Sequence, residues 1–334
     1  MRRTIGTVSL SLALCMFAIS ACADKAFAAS VELIYTLNAP GTDTQGGGMR
    51  VFKEVVERVS GGEIQVLTFD SASLFRQEQE LAAVKSGQAD IALISAPWFT
   101  DASPWVSMFA AGYLFKDAAH MDRVLNAEIG QQMFQRILAD QGVRPLGAEY
   151  FGTRQISMVD DKPIITPADL NGVNLRMPNS DAWIFLGKAM GANPTPISFS
   201  EIYLALQTKA IDGQENPLPT NRSSKFYEVT KSISITNHLV DSVWITINEA
   251  KWQSLTDQQK AWVMEGVAAN LKYCYDTNVQ IESEILDFFK AEGLKIYYAD
   301  LNAFSTHVLD QYLKSDYAKT WDMELFKKIR AMAD

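Results

Sequence analysis

The 334-residue sequence contains little cysteine or histidine, with three of each. So few potential ligands leave little material for a structural zinc site, and His120, His238 and His307 lie too far apart to form a ligand motif. The nucleophile-elbow, phosphate-loop and H-E-x-x-H motifs are absent from the sequence, and no nucleophile stands beside an activating base. These absences argue against a metal site and against an enzyme.

Positive charge is also in deficit, since 30 Lys and Arg face 39 Asp and Glu and give a formal net charge of −9. Proteins that bind nucleic acids use clustered Lys and Arg, so the composition argues against a nucleic-acid partner. Eleven Pro and 19 Gly are too few for a disordered or collagen-like chain. A length of 334 residues with 48% hydrophobic side chains predicts about two domains with ordinary cores.

The N-terminus has the layout of a secretory signal peptide, predicted over residues 1–28. Two arginines precede the uncharged stretch 5–21, and small residues follow it. An A-x-A site predicts cleavage after Ala28, whereas Cys22 offers a lipoprotein signal as an alternative. A retained membrane anchor is a third interpretation, although the uncharged stretch is short for a span. Export would leave a single cysteine, Cys274, and therefore no internal disulfide.

The hydrophobic pattern alternates between strand and helix periods. In the first half, strands are predicted at 31–37, 64–68, 89–95 and 143–148, and helices at 48–59, 78–85 and within 117–141. A second series of strands and helices begins near Phe151, and its first strand is predicted at 155–159. This rhythm predicts an α/β fold with a largely parallel sheet and helices on both faces.

A long helix is predicted near the C-terminus. Thr256 opens a T-x-x-Q capping box, and no proline follows it to the end of the chain. One helix reaching Glu292 would span about 36 residues, or roughly 54 Å, which is enough to brace two domains. Two helices broken near 275–278 are the alternative.

Two arginines are candidates for binding an anion. Arg176 lies on a strand that ends at Pro178, and a guanidinium there can offer two parallel donors to one carboxylate. Arg154 opens another strand. Each arginine alone is also consistent with a surface ion pair. Asn216 precedes a proline, which favours extended backbone with an available amide, and Phe199 alone is typical of core packing.

The order of these segments resembles the DctP family, the extracytoplasmic solute receptors of tripartite ATP-independent periplasmic (TRAP) transporters. The resemblance covers about residues 31–328 and is most specific from 151 to 238. The segments that carry it are Asn174-Leu175-Arg176-Met177-Pro178, Gly191-Ala192-Asn193-Pro194-Thr195-Pro196, Phe199-Ser200-Glu201-Ile202-Tyr203-Leu204-Ala205-Leu206-Gln207 and Asp212-Gly213-Gln214-Glu215-Asn216-Pro217.

The resemblance implies two α/β domains of the periplasmic-binding-protein type around a cleft, braced by a long C-terminal helix. We expect domain I at 29–151 plus about 243–280, and domain II at 152–242 plus about 281–334. The family's ligand-binding arginine matches Arg176. In its sialic-acid receptors, the residues that match Arg154, Phe199, Asn216 and Asn38 also contact the ligand.

The sequence departs from the sialic-acid receptors after the third strand. Where those receptors have an acidic residue and an arginine, this chain has Ser95-Ala96-Pro97-Trp98. We therefore expect a smaller ligand, either a C4-dicarboxylate or a sugar acid such as a uronate. Trp98 is a candidate to stack on a sugar ring, with packing beneath a loop as the alternative. Gln77 and Glu78 are candidates to reach a ligand hydroxyl.

The predicted function is that of a periplasmic receptor that delivers a small organic acid to the small and large TRAP membrane subunits. No catalytic residue, metal or cofactor is expected, although a metal-assisted ligand site stays open, and the protein is expected to be a monomer. The alternatives are a sensory protein that signals to a membrane kinase and a periplasmic lyase or hydrolase.

Overall fold

A computed structural model describes residues 31–333. The predicted signal peptide, its cleavage site after Ala28 and the alternative lipidation site at Cys22 lie outside these residues. The strands are β1 Val31–Thr36, β2 Ile64–Phe69, β3 Ile91–Ser95, β4 Val143–Met158, β5 Asn174–Met177, β6 Asn193–Pro196, β7 Gly213–Pro217, β8 Ser232–Asn248 and β9 Lys295–Tyr298. The helices are α1 Thr44–Val59, α2 Gln77–Ser86, α3 Ala118–Leu125, α4 Glu128–Gln141, α5 Asp181–Met190, α6 Ile202–Gln207, α7 Leu218–Ser223, α8 Glu249–Ser254, α9 Asp257–Ala291, α10 Leu301–Leu313 and α11 Met323–Ala331.

The strands form one sheet in the order β2-β1-β3-β8-β4-β7-β5-β6, with β9 paired to β8. The pairs β1–β2, β1–β3, β5–β6, β5–β7 and β8–β9 are parallel. The pairs β3–β8, β4–β7 and β4–β8 are antiparallel. The α/β fold is therefore confirmed, and the antiparallel pairs all involve the two long strands at the middle of the sheet.

The two long strands, β4 and β8, join the two halves of the molecule. The first half is built on β1, β2 and β3, and the second half is built on β5, β6 and β7. They pair from Val143 opposite Asn248 to Met158 opposite Ser232, with three irregularities in register. Such bulges bend and twist a strand pair, which lets β4 and β8 pass from one half into the other. The sequence predicted separate strands at 143–148 and 155–159, whereas the structure contains one continuous strand.

One irregularity in β4 requires glycine. Gly152 has a φ of +125°, and a Cβ there would lie 2.7 Å from the Cβ of Pro217 and 3.0 Å from Oε1 of Glu282. Any side chain at this position would have to displace β7 or α9. The bend in β4 is therefore fixed where the chain passes between the halves.

The long helix α9 is a single helix, as predicted, and the alternative of two shorter helices is wrong. Thr256 caps its first turn by accepting from the Gln259 amide at 3.2 Å, and the Gln259 side chain accepts from the Thr256 amide at 2.9 Å. Its 35 residues correspond to about 52 Å. Gly266 lets α9 approach α1, since a Cβ there would lie 2.4 Å from Val56.

Two broad observations concern residues 31–333 as a whole. None of their helices is both long and apolar enough to cross a membrane. Within the same range, no group of three or more His, Cys, Asp or Glu side chains is arranged to hold a metal ion. Cys274 is buried and does not form a disulfide bond.

Candidate functional site

A small cavity lies where the ends of strands from both halves converge. The carboxyl ends of β1, β3 and β5 point toward it, which is where α/β sheets usually place ligands. Phe151, Trp183 and Phe199 contribute aromatic walls. The polar side chains that line it are those of Asn38, Gln45, Gln77, Ser95, Arg154, Arg176, Asn216 and Asp241.

Arg176 is the buried cation whose donors remain available. On β5 it is 1% exposed, its Nε donates to the Ile197 carbonyl at 2.8 Å, and its Nη2 has no hydrogen-bond partner among residues 31–333. Burial, helped by the charge of Arg154, lowers the pKa of Arg176 to about 9, so the guanidinium stays protonated at pH 7. A buried charge without a partner is costly, and an anion in the cavity would relieve that cost.

Arg154, on β4, is held by acids instead. Its Nε and Nη2 donate to the two carboxylate oxygens of Glu215 at 2.5 and 2.7 Å, which is a bidentate pair. Its Nη1 donates to Oδ2 of Asp241 at 2.8 Å, and its Nη2 also donates to Oδ1 of Asn216 at 3.0 Å. The guanidinium carbon lies 4.6 Å from the ring centre of Trp183. Arg154 therefore has little capacity left for a ligand charge.

The members of this network differ in the direction in which their surroundings shift their pKa values. Although burial opposes ionisation, Arg154 and His238 lower the pKa of Glu215 to about 2. The carboxylates of Glu215 and Asp241 likewise outweigh burial and raise the pKa of Arg154. Burial lowers the pKa of His238, whose ring is neutral at pH 7 and lies 3.0 Å from Glu215. Burial raises the pKa of Asp241 to about 6, because Arg154 only partly compensates for the lost water.

Two sets of contacts join the halves near the cavity. Near α2, Nη1 of Arg76 lies 3.4 Å from Oε1 of Glu201, and Ser198 donates to Glu78. The two halves are therefore in contact at this side of the cavity.

In the second set of contacts, Asp43 connects the start of α1 to α7. Its Oδ1 accepts from the Gln45 amide at 3.1 Å and caps α1. Its Oδ2 accepts from the hydroxyls of Thr220 at 3.2 Å and Ser223 at 2.6 Å. The two hydrogen bonds from Thr220 and Ser223 attach the N-terminus of α1 to the second half of the molecule.

Six of the eight residues predicted to bind a ligand line this cavity, namely Arg176, Arg154, Asn216, Phe199, Asn38 and Gln77. Their ligand contacts stay predictions. Glu78 and Trp98 line a neighbouring groove instead. Trp98 is half-buried and packs against the hydrophobic core, which is the alternative that its position in the sequence left open.

The sequence pattern did not identify Asp241 or Glu215 as site residues. Both are acids in buried strands, with 5% and 0% exposure. An acid within the apolar segment Leu239-Val240-Asp241-Ser242-Val243 was the available signal, since a buried carboxylate needs a partner. The partner, Arg154, is 87 residues away, so only the fold shows the pair.

Comparisons with known proteins agree with this architecture. The pattern of the DctP family, described as bacterial extracellular solute-binding protein family 7, matches residues 36–320. The sialic acid-binding periplasmic protein SiaP of Vibrio cholerae is 34% identical over 296 residues, which cover 86% of this chain and 91% of the relative.

Two solved structures are similar over their whole length. One is a TRAP periplasmic solute binding protein from Roseobacter denitrificans with bound 3-deoxy-D-manno-oct-2-ulosonic acid, with 38% identity and a TM-score of 0.86 over 90% of this chain and 99% of that one. The other, from Sulfurospirillum deleyianum with bound succinate, has 27% identity and a TM-score of 0.83 over 91% and 99% of the chains.

Proposed function

We propose, since the chain belongs to the DctP family of bacterial extracellular solute-binding proteins, that it captures a small organic acid in the periplasm and delivers it to TRAP membrane subunits. The ligand class is a C4-dicarboxylate or a sugar acid such as a uronate. The observation that carries the proposal is the buried guanidinium of Arg176, a residue that lines the cavity and whose Nη2 has no hydrogen-bond partner in residues 31–333.

Arg176 can act as the carboxylate anchor because its orientation is already fixed. The hydrogen bond from Nε to Ile197 holds the side chain, so little rotamer entropy remains to be lost on binding. A carboxylate that meets the guanidinium forms charge-assisted hydrogen bonds in a region with little water. Arg154 helps indirectly, because its acids hold the wall of the cavity in place.

Capture depends on the two halves. Asn38 and Gln77 approach the cavity from the first half, and Arg176 and Asn216 approach it from the second. A ligand that contacts both sides stabilises the closed arrangement over the open one and so shifts the population. The closed form is the one that the membrane subunits would recognise.

The proposal includes export by the signal peptide at residues 1–28, with cleavage after Ala28 as the main route and lipidation at Cys22 as the alternative. It also includes a monomeric protein that needs no cofactor and carries out no reaction. In support, the neutral ring of His238 lies behind Glu215 and not on the cavity wall, so it is not placed to act as a base on a bound acid.

The test is a thermal-shift screen of dicarboxylates, uronates, aldonates, sialate and keto acids, followed by titration calorimetry of every acid that stabilises the protein. Arg176→Ala should weaken binding at least about tenfold, since a buried charge-assisted hydrogen bond contributes roughly 1.5–3 kcal/mol. Arg58→Ala, at an exposed position of α1, is the matched control and should bind normally. Unchanged affinity in Arg176→Ala would remove the anchor from the account.

A further inference from the structure

The charges around the cavity fit one ligand carboxylate and no more. Two guanidiniums, Arg154 and Arg176, face two carboxylates, Glu215 and Asp241, so this cluster is close to neutral at pH 7. Arg154 donates to both acids, which leaves Arg176 as the cation with available donors. The cavity lining contains no other Lys, Arg or His among the described residues. A second ligand carboxylate would therefore be buried without a cation, which is strongly unfavourable.

The rest of the polar lining is neutral and suits hydroxyl groups. Gln45, Gln77 and Ser95 present amide and hydroxyl groups, which can donate to or accept from a hydroxyl. Asn38 donates from Nδ2 to Oε2 of Glu80 at 2.8 Å, which leaves its side-chain carbonyl oxygen and its second N–H for a ligand hydroxyl. Groups of this kind bind polyols well and compensate a full charge poorly.

Asp241 adds a feature that distinguishes a hydroxyl from a carboxylate. It is 5% exposed and lines the cavity, and its Oδ2 accepts one hydrogen bond from Arg154. An ionised carboxylate can accept about four hydrogen bonds, so Asp241 can still accept from a ligand. A ligand hydroxyl can donate to it, whereas an ionised ligand carboxylate has no proton to donate and is repelled.

We infer that the ligand is a polyhydroxylated monocarboxylate, such as a uronate, aldonate or ulosonate, and that Asp241 selects it by accepting from a hydroxyl and repelling a second carboxylate. The inference rests on the proposed receptor function and decides between the two ligand classes which that function leaves open. Family membership does not make this choice, since similar proteins hold either kind of acid.

The test is titration calorimetry of the full mature protein with galacturonate, gluconate and 3-deoxy-D-manno-octulosonate on one side and succinate and fumarate on the other. At least one of the polyhydroxylated acids should bind ten times more tightly than either dicarboxylate. A dicarboxylate that binds more tightly than all three would overturn the inference and leave the receptor function intact. If no acid of either class binds, the receptor function fails, and the inference fails with it.

Asp241→Asn tests the selecting residue directly. The amide keeps an oxygen that can accept from Arg154, but it removes the negative charge. Affinity for the polyhydroxylated acid should fall about tenfold, and affinity for succinate should rise, so the two changes have opposite signs. A fall in both affinities would contradict the selecting role given to Asp241. Asp287→Asn, at an exposed position of α9, is the matched control and should change neither.

Discussion

Arg154 and Arg176 are both buried arginines of the same cavity, yet their surroundings give them different tasks. Arg154 is paired with two acids, and its pKa is raised, whereas burial lowers the pKa of Arg176 to about 9. The first arginine therefore holds the structure of the site, and the second is available to a ligand. The difference arises from Glu215 and Asp241, which the sequence pattern did not connect to either arginine.

Replacing Arg176 with lysine should weaken ligand binding about tenfold or more, even though the positive charge remains. A lysine ammonium cannot offer two parallel donors to one carboxylate. Titration calorimetry with the acid that wild type prefers is the measurement, and Arg58→Lys serves as the control. Binding as tight as wild type in Arg176→Lys would show that a point charge is sufficient.

Replacing Glu215 with glutamine should destabilise the protein by about 3 kcal/mol, because it breaks a fully buried ion pair and leaves Arg154 less compensated. Urea unfolding at pH 7 measures the free energy of unfolding. Glu228→Gln, which breaks an exposed pair with Lys225, is the control and should cost less than about 1 kcal/mol. Equal, small losses in both variants would contradict a structural role for Glu215.

At the residue scale, a local signal in the sequence led to candidates that line the cavity, and their ligand contacts remain predictions. Arg176 was a candidate because it lies on a strand that ends at a proline, and because it matches the ligand-binding arginine of the family that the sequence resembles. Asp241 was missed because its role depends on Arg154, 87 residues away. Trp98 packs against the core and lines a neighbouring groove, since an aromatic residue near a strand end can pack inward as readily as it can face a cavity.

The elements β4, β8 and α9 carry the connection between the halves, and they contain a buried acid that the site does not use. Glu149, on β4, is completely buried. Burial raises its pKa well above the ordinary value, in spite of nearby Cys274 and Asn270 on α9, and Asp43 adds to the rise. Glu149 is therefore protonated in the folded protein at pH values where it ionises in the unfolded chain.

This difference has a defined effect on stability. The folded state holds the Glu149 proton more tightly than the unfolded chain does. The contribution of Glu149 to the free energy of unfolding is therefore fully present below its unfolded pKa of about 4.5, and it is lost as the pH rises toward its folded pKa. Glu149→Gln keeps the shape and removes the titration. Compared with wild type, the Glu149→Gln variant should therefore be more stable at pH 8 than it is at pH 4, as measured by the difference between the two free energies of unfolding.

Urea unfolding of wild type and Glu149→Gln at pH 4 and pH 8 makes the comparison. Glu284→Gln, at an exposed position of α9, should show no such difference between the two pH values. A Glu149→Gln effect that is the same at both pH values would show that Glu149 does not take up a proton on folding.

Element boundaries followed from the sequence to different degrees. The capping box and the absence of proline predicted α9 as one helix, because both are local signals. β4 was predicted as two strands because its irregularities near Gly147 and Gly152 interrupt the apolar pattern. Its antiparallel pairing with β8 could not be predicted, since that pairing joins segments about 90 residues apart and depends on the whole fold.

At the scale of the whole molecule, we expect ligand binding to be coupled to contacts between the halves. Ser223, on α7, donates to Asp43 at the start of α1 at 2.6 Å, and no ligand takes part in that hydrogen bond. Contacts of this kind favour the closed arrangement and so raise the apparent affinity for a ligand that binds the closed form. The predicted domain boundaries remain a prediction, but the contacts can be tested without them.

Ser223→Ala should weaken ligand binding several-fold, because one hydrogen bond of about 1 kcal/mol between the halves is lost. X-ray scattering should show a larger radius of gyration than wild type at subsaturating ligand. Ser283→Ala, exposed on α9, is the control. Wild-type affinity and radius of gyration in Ser223→Ala would mean that this contact does not favour closure.

The most direct test of the whole account is a crystal structure of the protein with the acid that binds most tightly in the screen. We expect the ligand carboxylate to lie against the guanidinium of Arg176, with nitrogen–oxygen distances of about 2.7–2.9 Å, inside the cavity between the halves. A carboxylate bound elsewhere, or a residue 176 side chain turned away from the ligand, would contradict the account.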